Sequence, residues 1–137
     1  MKNQRNNFSH RAVDALIFCA INAVVKAGEA IMEIYDTDIA VQLKSDNSPL
    51  TMADKNANKI INALLKETKI PIISEENEQI PFTERKNWES CWIVDPLDGT
   101  KEFIKKNGEF TVNIALLFKN KPVLGVIYVP DTKLLYY

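Results

Sequence analysis

Apolar residues along the chain follow two rhythms, one helical and one extended. Between Ser9 and Tyr35, the residues Val13, Leu16, Ile17, Ala20, Ile21, Val24, Val25, Ala27, Ile31 and Ile34 recur at steps of three and four. That spacing puts them on one stripe of a long amphipathic helix. Gly28 falls inside it and costs about 1 kcal/mol relative to alanine, so it is expected to mark close packing against another element. A second helix is expected to start at Thr51, with Met52, Ala57, Ile60, Ile61, Leu64 and Leu65 as its apolar positions. Thr51-x-x-Asp54 matches a capping box, in which the first and fourth side chains satisfy free helix N–H groups. That pattern gives Asp54 a structural role.

The remaining apolar runs are short and read as strands. Ile39, Val41 and Leu43 alternate within Asp38–Leu43, and the polar stretch Lys44–Pro49 reads as a loop. Ile70–Ser74 is followed directly by Glu75 and Glu76. Asn77–Ser90 reads as a surface loop with Trp88 as a core anchor. Cys91–Val94 predicts a buried strand, and Pro96, with no N–H to give a neighbour, is expected to end its pairing. Lys101–Lys106 predicts a short helix closed by Asn107-Gly108, with glycine as the left-handed cap. Glu109–Phe118 and Pro122–Val129 predict a hairpin turning at Lys119-Asn120-Lys121. After a turn at Pro130-Asp131-Thr132, Lys133–Tyr137 starts a third strand with an open edge.

Composition narrows the chemistry. A chain of 137 residues fits one domain. Its 17 basic and 18 acidic residues leave a net charge of −1, which gives no basic field for a nucleic-acid backbone. Any phosphate chemistry must therefore come from a local site. Cys19 and Cys91 lie in apolar contexts without metal-ligand spacing and read as buried thiols of a reducing compartment. His10, the only histidine, has no cysteine or histidine cluster around it, which argues against zinc sites and histidine-dependent triads. No uninterrupted apolar stretch reaches the roughly 18 residues of a membrane span, and Met1–Asn7 lacks the apolar core of a signal peptide. The chain reads as cytoplasmic, with peripheral membrane association left open.

The stretch with the most chemistry is Cys91–Phe103. Asp95 and Asp98 stand either side of Pro96, at the carboxyl end of the expected strand, and Gly99-Thr100 follows at once. Two acids at a strand end, with a glycine leading into a polar segment, suit a hard cation such as Mg²⁺ together with a phosphate. The same residues also suit an Asp-Gly turn with Asp98 as the N-cap of a short helix. Glu75-Glu76 is similarly open: a solvated loop by composition, a site by position at a strand end.

Trp92-Ile93-Val94-Asp95-Pro96-Leu97-Asp98-Gly99-Thr100 resembles the signature of the Mg²⁺-dependent, lithium-sensitive phosphatases of the inositol monophosphatase superfamily. Lys101-Glu102-Phe103-Ile104 and Gly108–Leu116 look most like its CysQ branch, the 3'(2'),5'-bisphosphate nucleotidases. The resemblance implies a layered α+β sugar-phosphatase fold, with two N-terminal helices packed on a largely antiparallel sheet. It implies Glu75, Asp95, Asp98 and the Leu97 carbonyl as ligands of two or more Mg²⁺ ions. It implies a substrate site of Glu75, Leu97, Asp98, Gly99 and Thr100. The catalytic pair it implies is Asp54 and Thr100: the carboxylate orients the hydroxyl, and the hydroxyl takes a proton from the attacking water. The implied substrate is 3'-phosphoadenosine 5'-phosphate, split to AMP and phosphate, a by-product of sulfate activation being cleared.

Chains of this superfamily continue into a second α/β half with a Trp-Asp motif whose aspartate completes the metal site. Trp88-Glu89 and Trp92-Ile93 do not match that motif. Residues 1–137 are therefore expected to form the N-terminal α+β part of the phosphatase domain, the other half being absent. Two alternatives stay open: an inositol monophosphatase-type sugar phosphatase, and a catalytically inactive metal-binding fragment. An open sheet edge leaves room for self-association; nucleic acid and a transmembrane segment are not expected.

Overall fold

The computed structural model describes Ser9–Thr37 and Ser48–Tyr137. The strand expected at Asp38–Leu43, and the loop after it up to Asn47, lie outside the described residues. The stripe of the first helix holds: α1 spans His10–Tyr35, with the Ser9 side chain accepting from the Ala12 N–H. Its buried face is Ala20, Ala23, Val24, Ala27, Ile31 and Tyr35, while Val13, Leu16, Ile17, Ile21, Val25 and Ile34 are only partly covered. By length and composition α1 would also serve as a membrane span, but here its small-residue face packs on the second helix and the sheet.

The second helix, α2, spans Pro49–Leu65 and starts earlier than the capping pattern suggested. Ser48 is its N-cap, accepting from the Thr51 N–H at 3.1 Å. Pro49 stands at the first helical position, where its fixed φ suits the helix and its missing N–H costs nothing. Thr51 and Asp54 therefore lie inside the helix, and the capping role expected for Asp54 is overturned. The buried row is Leu50, Ala53, Asp54, Ala57, Ile61 and Leu65, with Met52 turned outward at 47% exposure.

Among the described residues, five strands form one sheet in chain order: β1 (Ile72–Ser74), β2 (Ser90–Asp98), β3 (Thr111–Phe118), β4 (Lys121–Val129) and β5 (Leu134–Tyr136). Of these, only β1 and β2 run parallel; each other pair is antiparallel. Alternate residues Trp92, Val94, Val112, Ile114, Leu116, Leu124, Val126 and Tyr128 enter the core under the helices. Gly28 is where α1 meets β4: a Cβ there would stand 2.5 Å from Tyr128 Cε1. The layered α+β architecture, helices on one face of a mostly antiparallel sheet, matches the expectation.

Several local expectations change. Trp92, fully buried with its Nε1–H donated to Thr68 Oγ1 at 3.0 Å, anchors the core; Trp88 is only partly covered. The stretch after Asn77 holds a one-turn helix, α3 (Phe82–Arg85). Strand β2 runs through Pro96 to Asp98, but its register against β3 slips between Asp95 and Asp98. The proline breaks the ladder there without ending the strand. The hairpin turns on Lys119 and Asn120 alone, both with positive φ, as a tight two-residue turn requires. Both cysteines are free thiols and partly, not fully, buried.

Candidate active site

Parallel pairing of β1 and β2 brings their carboxyl ends to one place. Ser74 stands opposite Val94, and the Glu75 N–H reaches the Val94 carbonyl at 3.4 Å, so Glu75 extends β1 alongside Asp95. The slipped register after Asp95 swings the chain past Pro96 and the buried Leu97 to Asp98, then into Gly99. Gly99 takes φ 94° and is the N-cap of α4 (Thr100–Lys105). A side chain at that φ would be strained, and a Cβ would lie 3.0 Å from the Glu109 carbonyl oxygen. Asp98 is thus not the cap of this helix, and its carboxylate is exposed. The left-handed residue closing α4 is Lys106, not Gly108.

Tyr35, Phe103 and Phe110 pack ring on ring, with centroids 4.8 to 5.4 Å apart, and seat α4 on the end of α1. Lys106 ties down the same corner, its ammonium donating to the Tyr35 carbonyl oxygen and lying 4.4 Å above the Tyr35 ring. Helix α4 also touches α2, the helix that carries Asp54. Asp54 itself is only 3% exposed, on the face α2 turns inward. A carboxylate in a core position is costly without a partner or a task.

Asp95 records how these acids converge. Its pKa is pushed up to about 6, first by burial, then by the charges of Glu75 and Asp98, and last by that of Asp54; a hydrogen bond from the Leu97 backbone opposes the rise. Asp95 Oδ1 is buried and accepts no hydrogen bond. An oxygen-only donor set, net negative and holding one orphaned buried carboxylate oxygen, fits a hard divalent cation. Among the described residues, no group of three or more acids, cysteines or histidines is placed to hold a metal ion by itself.

The structure therefore brings together Glu75, Asp95, Asp98, Gly99 and Thr100 at one strand-end corner, with Asp54 close enough to act on Asp95. It adds residues that sequence reasoning missed. Asn113, opposite Asp95 on β3, donates to Asp98 Oδ2 at 3.4 Å and to Thr111 Oγ1 at 3.1 Å. Ile93, Ala115 and Ile127 line an open hollow that reaches Asp95, Asp98, Thr111 and Asn113. A polar residue at the period-two position preceding Ala115 was the available signal. Ser74, Asn58, Asn62 and Asn77 were missed as well.

A model of the inositol monophosphatase family matches residues 12–137. The chain belongs to that family. Its curated relatives include the 3'(2'),5'-bisphosphate nucleotidase CysQ of Salmonella typhimurium, 50% identical over 81% of this chain and 46% of that protein. The CysQ of Buchnera aphidicola is 48% identical over 96% of this chain and 49% of its own length. Among solved structures, CysQ from Bacteroides thetaiotaomicron, a bacterial member of this family, superposes with a TM-score of 0.84 at 53% identity. That match covers 89% of this chain and 45% of that one. The chain thus spans about half the length of the relatives it matches, and within that half the family fold is complete enough to superpose closely.

Proposed function

We propose that this chain carries the strand-end half of the active site of a Mg²⁺-dependent phosphatase acting on 3'-phosphoadenosine 5'-phosphate. The observation that carries the reading is the Asp95 carboxyl, held near Glu75, Asp98 and Asp54 with one oxygen orphaned and its pKa raised to about 6. Four acids gathered against their mutual repulsion imply a cation that the fold is built to hold. The preference for a bisphosphate nucleotide over an inositol phosphate rests on about 50% identity to proteins named CysQ.

In this reading Glu75, Asp95, Asp98 and the Leu97 carbonyl hold the cation. When bound, it supplies positive charge that offsets the negative charge building on the phosphate oxygens. Gly99 and Thr100, at the turn into α4, present backbone N–H groups to the phosphate. Asp54 orients the Thr100 hydroxyl and receives its proton as that oxygen takes one from the water attacking phosphorus. As the new P–O bond forms, the bond to the ribose 3' oxygen breaks and that oxygen takes up a proton from water, giving AMP and inorganic phosphate. The rigid seats of β2 and α4 keep these groups in place, which is where most of the rate gain in phosphoryl transfer arises.

Phosphate release from 3'-phosphoadenosine 5'-phosphate and from inositol monophosphate, each with Mg²⁺, tests the reading. Faster release from the nucleotide is expected of the protein at its relatives' full length; equal turnover would remove the reason to prefer the CysQ branch. A second reading is favoured because no three of these side chains gather into a metal-holding group among the described residues: residues 1–137 bind the cation but turn nothing over alone. Folded, Mg²⁺-saturated chain that releases no phosphate from either substrate would support it.

A further inference from the structure

The turn that carries Glu75 is tied to α2 by a closed ring of side-chain amides. Asn58 donates to Asn77 Oδ1 at 2.9 Å, Asn77 to Asn62 Oδ1 at 2.9 Å, and Asn62 back to Asn58 Oδ1 at 2.9 Å. Around the ring each amide donates once and accepts once, while Asn62 Nδ2 also reaches the Asn58 carbonyl oxygen and Asn77 Oδ1, so the three fix one another's orientation. Ser74, 2% exposed, donates its hydroxyl to Asn58 Oδ1 at 2.7 Å and accepts from the Glu76 N–H at 3.4 Å. The Asn77 N–H closes the turn onto the Ser74 carbonyl at 3.1 Å. Glu75 is therefore the one residue of Ser74–Asn77 whose side chain is exposed, at the corner of a turn held at both ends.

The helical end of the ring matters as much. Asn58 stands four residues after Asp54 on α2, and Asn62 four residues further. One turn of helix thus separates the buried Asp54 from the amide that grips the Glu75 turn. Nothing in core packing calls for this: the inward row is filled by Ala57, Ile61 and Leu65. Carboxylates that share a cation repel one another whenever it is released, and a turn held only by its backbone would swing away. A cooperative amide ring resists that swing at the level of side-chain geometry.

We propose that Asn58, Asn62, Asn77 and Ser74 are positioning residues that hold the Glu75 carboxylate in register with Asp95 and Asp54 for cation binding. The inference rests on the metal reading of the site above. Residues that orient a metal's direct ligands typically contribute about ten-fold or more to its affinity. Loss of the ring should therefore weaken binding without removing the site, and should do so by freeing one ligand.

Eu³⁺ is a suitable hard-cation probe, because its luminescence lifetimes in H₂O and D₂O count the waters still on the bound ion. The whole chain is titrated with Eu³⁺ as wild type, Asp95→Asn, Glu75→Gln and Asn77→Ala, each first shown to be folded by circular dichroism. Asn77→Ala should bind about ten-fold more weakly and keep about one extra water on the ion, as Glu75→Gln does. Asn62→Ala, which leaves the Asn58–Asn77 bond intact, is the milder second variant should Asn77→Ala fail to fold, and should show the same extra water. A simple loss of stability would not change the water count of bound ions. Unchanged affinity and water count in both asparagine variants, with binding lost in Asp95→Asn, would overturn the positioning role alone. Binding that survives Asp95→Asn unchanged would overturn the metal reading beneath it.

Discussion

Asp95→Asn should make the metal-free chain more stable at neutral pH while removing its response to Mg²⁺. The raised pKa of Asp95, about 6 against an ordinary 3.8, means that the folded state holds its proton more tightly than the unfolded one. Between those two values the folded chain binds more protons, so stability falls as pH rises through the window and stays reduced above about 6. Carried in full, that difference corresponds to about 3 kcal/mol; solvent screening of a half-buried carboxylate reduces it to about 1–2 kcal/mol. An amide removes the charge, and its N–H can point where Oδ1 now lies orphaned among acids. A gain of that size in a chain of this length raises Tm by about 4–8 °C. The assay is thermal unfolding followed by circular dichroism, at pH 7.5 and at pH 3.5, in EDTA and in Mg²⁺. The variant should melt higher than wild type at pH 7.5 in EDTA and hardly higher at pH 3.5, where Asp95 is mostly protonated in both states. Mg²⁺ should raise the Tm of wild type only, and the variant at full length should lose activity because the amide no longer supplies the charge that holds the ion. A variant no more stable than wild type at pH 7.5, or equal stabilisation of both by Mg²⁺, would refute the argument.

Three further outcomes are expected. Gly99→Ala forces a Cβ to within 3.0 Å of the Glu109 carbonyl oxygen at φ 94°; it should cost about 1–3 kcal/mol in urea unfolding, and a neutral result would mean the β2–α4 turn has another conformation available. In the protein at full length, Asp54→Asn and Thr100→Ala should each lower kcat sharply, and the double variant hardly more, because groups acting as one unit are non-additive; multiplicative losses would separate their roles. Leu134, Tyr136 and Tyr137 are 51%, 57% and 80% exposed on or beside β5, which pairs only with β4 among the described residues, so residues 1–137 alone should self-associate. A sharp monomer peak that survives dilution in size-exclusion chromatography with light scattering would show that this edge is benign.

Periodicity made the scaffold legible. The step of three and four through Val24, Ala27 and Ile31 is a property of neighbouring residues, so α1 and the inner row of α2 could be read before any tertiary contact was known. The same holds for the alternation Val112, Ile114, Leu116, and for the packing role of Gly28. The stretch Asp95–Thr100 was legible as chemistry because a specific run of residue types points there. Local pattern failed where two signals competed. Thr51-x-x-Asp54 read as the helix start and Ser48-Pro49 as part of a loop, yet the helix begins at Pro49, whose fixed φ suits the first helical position behind the Ser48 cap. Trp88, expected as a core anchor, is only partly covered; the core tryptophan is Trp92, on the strand already expected to be buried. The capping alternative for Asp98 fell because Gly99 alone tolerates the left-handed φ at the start of α4. What sequence could not contain was convergence. Asp54, Glu75 and Asp95 come from a helix, a strand end and another strand, and the amide ring joins residues up to 19 positions apart. Each of those juxtapositions depends on β1 running parallel to β2 and on α2 lying across both, and distances of that kind are set by packing, not by spacing along the chain.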